Sequence, residues 1–206
     1  MSDLIDWEQV KSDYALVKSG ADMSDLNQLG FTRLGIVPWI NETVDFLATC
    51  KRHPGHIKAR PRLGMECVSM EDVIRAPHFL DYAKSLTPVV SKFFGEPAIL
   101  WSLNAFYTDR NTPYFPGLHG LHRDRGGDKI VALFVLGYDT PLDSAQLHMT
   151  PEEVLVPIYG PKGTAWLADN TQMHMGLIPS QPRMLMWARW AEKIPQEFYN
   201  EKLPVI

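Results

Sequence analysis

The sequence predicts a β-rich α+β domain, a sandwich or jelly-roll barrel with helices covering one outer face. Three observations predict it. The first half carries apolar residues at helical spacing. The second half carries short apolar runs of strand length between clusters of Gly, Pro, Asn and Asp. No internal repeat, low-complexity tract or long linker divides the chain. A length of 206 residues fits a single domain with a sizeable core. The expected organisation is one domain over 1–206, with 1–96 as mainly helical support and 97–206 as the jelly-roll core.

The elements follow in order. Trp7, Val10, Tyr14 and Val17 recur at the spacing of one helix face, ending near Gly20. A second helix is predicted over 41–50, with Asn41 as N-cap and Val44, Leu47 and Ala48 inward. Ser69 with Asp72 resembles a capping box and opens a helical region punctuated by Pro77 and Pro88. Leu86, Val89, Val90 and Phe93 continue its apolar stripe, and Gly95 stops it. After Pro97 the pattern changes to strands, predicted near 99–107, 130–136, 145–148, 154–158, 164–168 and 184–191. The long polar connection from Thr108 to Asp128 is where function is expected on such a scaffold.

Composition narrows the partners. With 20 basic and 24 acidic residues the net charge is −4, and no block of like charge reads as a footprint for nucleic acid or a membrane surface. No window approaches the roughly 18 apolar residues of a membrane span, and the first ten residues are acidic and amphipathic. A soluble, cytoplasmic protein is expected. Its two cysteines, Cys50 and Cys67, form no disulfide framework.

The chemistry concentrates in LHGLHRDRGG, residues 118–127. In an extended segment, side chains two apart point the same way, so His122 and Asp124 can grip one ion while Arg123 faces elsewhere. Two His and one carboxylate on one face of an octahedron form the donor set of non-haem iron(II) oxygenases, whose opposite face stays open for oxygen and a cosubstrate. His174, fifty positions after Asp124, is the candidate for the second imidazole. Arg183, nine residues further, begins the last clear strand and offers a guanidinium for an anionic cosubstrate. Arg189 shares its strand parity and is the fallback.

The order His-x-Asp, then His, then Arg, within a β-rich half preceded by helices, resembles the phytanoyl-CoA dioxygenase family over roughly residues 98–191. The resemblance implies a double-stranded β-helix of the jelly-roll type and an Fe(II)/2-oxoglutarate-dependent oxygenase. It implies that His122, Asp124 and His174 bind the metal and that Arg183 pairs with the distal carboxylate of 2-oxoglutarate. It also makes Asn104, and more weakly Tyr107, contacts to the cosubstrate from the strand WSLNAFY. The implied reaction consumes O2 and 2-oxoglutarate, releases succinate and CO2, and hydroxylates a small-molecule metabolite. Asp at position 124, where related halogenases carry Gly or Ala, points to hydroxylation. Desaturation, cyclisation or epimerisation would use the same cofactors, and a jelly-roll binding domain without turnover is the reading from a different class.

Other features have plainer readings. His119 is expected at the site mouth, because odd spacing from His122 turns it away. His148 reads as a core residue or one packed behind the ligands, and QLHMTP keeps only part of the family's Pro-Gly-Ser-His segment. Arg123 and Arg125 are solvated or attract an anionic substrate. Cys50, His53 and His56 lack the second ligand pair of a structural zinc site. Trp166, Trp187 and Trp190 read as core or pocket wall, since no basic groove accompanies them. Candidate lids are His53–Arg62 and Pro113–Gly120.

Overall fold

The computed structural model describes residues 24–54, 65–114, 119–124, 129–151, 153 and 155–193. The helix expected over 7–20 and much of both candidate lids lie outside the described residues, as do Arg125 and His56.

Helices α1 (Ser24–Leu29), α2 (Ile40–Thr49), α3 (Met70–Arg75) and α4 (Phe79–Phe94) precede the main run of strands. Ser69 caps α3 by accepting from the Asp72 amide at 3.2 Å. The cap of α2 departs from expectation. Trp39 holds that position without a side-chain bond, and Asn41 lies inside the helix. In α4, Phe79, Ala83, Leu86, Val90 and Phe94 recur every three or four residues and are buried, which fixes the face turned to the sheet. Gly95 ends the helix at φ 79°, a left-handed conformation that glycine adopts without a Cβ penalty.

Among the described residues, ten strands form two antiparallel sheets. They are β1 (Phe31–Ile36), β2 (Arg52–Pro54), β3 (Glu66–Val68), β4 (Ile99–Thr108), β5 (Ile130–Leu136), β6 (Gln146–Met149), β7 (Leu155–Ile158), β8 (Thr164–Asp169), β9 (His174–Gly176) and β10 (Arg183–Ala191). The large sheet runs β1-β8-β5-β10-β4-β3-β2 and the small one β7-β6-β9. An isolated bridge between His122 and His174 adds the metal-loop segment to the edge of the small sheet. From β4 onward the chain passes back and forth between the two sheets, the winding of a jelly roll. Among the described residues before Pro97, where mainly helical support was expected, β1, β2 and β3 accompany the helices and extend both edges of the large sheet.

Strand alternation divides the core. Val131, Leu133 and Val135 of β5, Ala165 and Leu167 of β8, and Met184, Met186 and Ala188 of β10 pack with the helices. The opposite parity, including Phe134, Trp166 and Ala168, packs toward Ile158 of the small sheet, with Leu185 and Trp187 against it. Trp190 Nε1 donates to Thr87 Oγ1 at 3.0 Å and ties α4 to β10. The sheet interior is thus walled by large apolar side chains, and polar groups among them call for a reason. No helix among the described residues is long and apolar enough to cross a membrane.

Candidate metal centre

The sheet ladder builds the site. His122 and His174 exchange both backbone hydrogen bonds, at 2.9 and 2.8 Å, so their side chains are direct neighbours on one face. Two residues on, the Asp124 amide donates to the Asn170 carbonyl at 3.1 Å, keeping the segment extended and returning Asp124 to the same face. One ligand atom from each of His122, Asp124 and His174 falls within 4.8 Å of the others. His174 Nε2 stands 3.8 Å from Asp124 Oδ1.

Each side chain is oriented from behind. His122 Nδ1 lies 2.8 Å from the Gly120 carbonyl and His174 Nδ1 3.0 Å from the Gln172 carbonyl. A carbonyl accepts only, so both Nδ1 atoms carry the proton and both Nε2 atoms are left as electron-pair donors. Asn170, fully buried, donates through Nδ2 to Asp124 Oδ2 at 2.8 Å. Arg189 Nη2 stands 3.7 Å from the same oxygen. Burial pushes the Asp124 carboxyl up, but Arg189, His174, the Asn170 bond and His122 outweigh it and hold its pKa below the usual value. Burial above all holds the His174 pKa down. An ionised Asp124 beside a neutral His174 imidazole matches what a divalent metal requires of such ligands. Such donors suit a mid-row divalent ion, and the single carboxylate with two imidazoles leaves room for further ligands. The residues therefore fit the metal that the sequence implies.

Arg183 sits apart from the triad at the start of β10. It is 8% exposed, and burial pushes its pKa down to about 10. Its Nη1 donates to the Ser144 carbonyl at 2.7 Å and its Nε to Thr108 Oγ1 at 3.2 Å. No carboxylate among the described residues pairs with it, so a buried positive charge is left without a counter-ion, an arrangement favoured where an anion binds. Arg183 lines a cavity of about 420 Å³ with Thr108, Tyr107, Tyr138, Arg52 and Glu66. Arg189, six residues along β10, lies with its guanidinium over the Trp187 ring and beside Asp124. The two arginines thus occupy different ends of the interior, one at the cavity and one at the carboxylate ligand.

The two remaining cosubstrate candidates separate. Asn104 pairs with Trp187 across the ladder and faces the interior, where its Nδ2 donates to Ser102 Oγ at 2.7 Å. Tyr107 has the opposite parity and packs with the helix-side core, with Arg52 over its ring. It meets Arg183 only at the strand end, in the cavity wall. Burial first, then neighbouring Tyr138, pushes the Tyr107 hydroxyl up to about 12.

His119 is buried, with its ring against Tyr114, and burial followed by the Arg183 charge lowers its pKa. It belongs to the Arg183 end of the site. Arg123 is exposed. Sequence reasoning missed Asn170 and Thr108. The Asp-Asn pair at 169–170 carried a turn signal and nothing more, and Thr108 became visible only through its ladder pairing with Arg183.

No protein-family model and no curated protein matches this sequence. Solved structures do. A prolyl-4-hydroxylase from Pseudomonas putida superposes with a TM-score of 0.61 at 15% identity, covering 82% of this chain and 96% of its own. The non-heme alpha ketoglutarate dependent carbocyclase SnoK from nogalamycin biosynthesis gives 0.61 at 12%, covering 81% of each. The fold is the one these enzymes share. HygX from Streptomyces hygroscopicus, solved with nickel and 2-oxoglutarate bound, gives 0.57 at 11%, over 82% of this chain and 85% of that one. At such identities the likeness establishes the jelly-roll fold, and the chemistry rests on the residues.

Proposed function

We propose that this chain is an Fe(II)/2-oxoglutarate-dependent oxygenase that hydroxylates a small-molecule metabolite. The observation that carries the reading is the convergence of His122, Asp124 and His174 with both Nδ1 atoms tied to carbonyls and both Nε2 atoms left to coordinate. When bound, iron(II) with the cosubstrates 2-oxoglutarate and O2 supplies the oxidising chemistry, and succinate and CO2 are the co-products.

The chain's own residues do the rest. His122, Asp124 and His174 hold the metal, and Asn170 and Arg189 keep Asp124 ionised and aimed. Arg183, buried and without a carboxylate partner among the described residues, pairs with the distal carboxylate of 2-oxoglutarate. Asn104 lines the interior, and Tyr107 reaches the cosubstrate from the cavity wall at the end of β4. Phe134, Trp166 and Trp187 wall the interior and exclude water. Within the wider group of such oxygenases, the order and spacing of the four site residues support placement with the phytanoyl-CoA dioxygenase family.

The test is a metabolite screen for substrate-stimulated succinate release, followed by mass analysis of the consumed compound. A gain of one oxygen supports hydroxylation. A loss of two hydrogens, or an isomer of unchanged mass, moves the assignment to desaturation, ring closure or epimerisation on the same residues. No succinate in the presence of iron, oxygen and any candidate would leave the jelly-roll binding domain as the better reading.

A further inference from the structure

His122, His174 and His148 stand in one row across the small sheet. The first two pair through the bridge, and His174 pairs with His148 in the β9–β6 ladder. Paired residues share a face, so the three imidazoles are consecutive on the inner side. The His148 ring lies 5.1 Å from that of His174, stacked at 10°, and Phe134 closes on it from the large sheet. Its nitrogens are not among the atoms that converge on the metal position.

What sets His148 apart is how its polar atoms end. The residue is 1% exposed, and neither Nδ1 nor Nε2 has a hydrogen-bond partner among the described residues. A neutral imidazole always carries one N–H and one lone pair, and burying both unmet opposes folding. A leucine would fill the same space against Phe134 without that penalty. His122 and His174 each anchor Nδ1 on a carbonyl. His148 has no such anchor, which leaves an N–H for a group brought in from outside.

Resting on the reading of the site above, we propose that His148 is a positioning residue for the cosubstrate, donating an N–H to an oxygen at the metal-binding end of the 2-oxo acid. Arg183 would then hold the distal carboxylate and His148 the proximal end, so that the dicarboxylate is gripped at both ends by buried donors on opposite sheets. This assigns to β6, where the sequence departs from the family pattern, a share in cosubstrate selection.

The test measures two affinities on the whole protein under anaerobic conditions: iron(II) alone, then 2-oxoglutarate on the iron-loaded protein. The variants are His148→Leu, which removes the donor, and His148→Asn, which restores one. The expected result for His148→Leu is iron affinity within twofold of wild type and 2-oxoglutarate affinity weakened about tenfold or more, the loss typical of a hydrogen bond to a charged acceptor. His148→Asn should recover part of that loss. Unchanged 2-oxoglutarate affinity in His148→Leu overturns the inference and makes His148 packing alone. A tenfold fall in iron affinity without 2-oxoglutarate also overturns it, because His148 would then be a ligand. If the wild-type protein binds iron but no 2-oxoglutarate, the functional reading fails and takes this inference with it.

Discussion

Replacing Asn170 with alanine tests how the metal centre is held. The Asn170 amide donates to Asp124 Oδ2 at 2.8 Å from a fully buried position. A hydrogen bond to a charged acceptor is worth about 1.5–3 kcal/mol. Loss of such an outer partner typically lowers metal affinity about 10- to 100-fold, and at about 1.4 kcal/mol per factor of ten the two figures agree. Arg189 would be left 3.7 Å from the same oxygen, free to draw the carboxylate toward itself and away from the imidazoles. The backbone ties should survive, because the Asp124 amide donates to the Asn170 carbonyl and the Asn170 amide to the Ile130 carbonyl, at 3.1 and 2.8 Å. The assay is anaerobic calorimetric titration of iron(II) into wild type and Asn170→Ala, with the metal-free melting temperature as a folding control. The predicted result is a fold-change in that range with a folded apoprotein. An iron affinity within twofold of wild type would show that Asp124 needs no such anchor, or is not a ligand.

Arg183→Leu removes a buried charge that no described carboxylate balances, so iron should still bind while the 2-oxoglutarate requirement rises at least about tenfold. An unchanged requirement would show that Arg183 does not anchor the cosubstrate. In the metal-free protein, burial depresses the folded-state pKa of His174 and His148 below the ordinary 6.5. Below that value the unfolded chain binds protons that the folded chain rejects. Stability should therefore fall as pH drops from about 7 to about 5.5, by up to about 1.4 kcal/mol per pH unit for each histidine. Melting curves across that range check it, and a flat profile would contradict the neutral burial of both rings. Leu133→Ala, at a fully buried position in the helix-facing core, should cost about 2–5 kcal/mol in chemical denaturation. A cost under about 1 kcal/mol would mean that the helix layer is not packed as described.

Much of the fold was legible because its strands are apolar runs too short for helices. The seven residues of β5 are all buried, and such a run needs no neighbours to be recognised. β1 was missed although Thr32 and Leu34 alternate inward, and β2 and β3 are only three residues long and gain their strand character from pairing, β3 with β4 and β2 with β3. Parity put His122 and Asp124 on one face, and the order of the later His174 and Arg183 singled the pair out. The parity rule, applied to Asn104 and Tyr107 three positions apart, predicts the opposite faces that they occupy. Arg189 was expected on the interior face and lies there, but its neighbour is Asp124, a contact between residues 65 positions apart that only the folded chain creates. Asn170 shows the same limit. Its sequence context marks a turn, and its role appears only once the metal loop folds back over that turn.

As proposed, His122, Asp124 and His174 hold iron(II) and leave room for 2-oxoglutarate to bind it. Anaerobic absorption spectroscopy tests it most directly, through the weak visible charge-transfer band of the chelate. The expected result is a band that requires both iron(II) and 2-oxoglutarate in the wild-type protein and is lost in His174→Ala. Absence of the band in wild type at saturating iron and 2-oxoglutarate, or its persistence in His174→Ala, would contradict it.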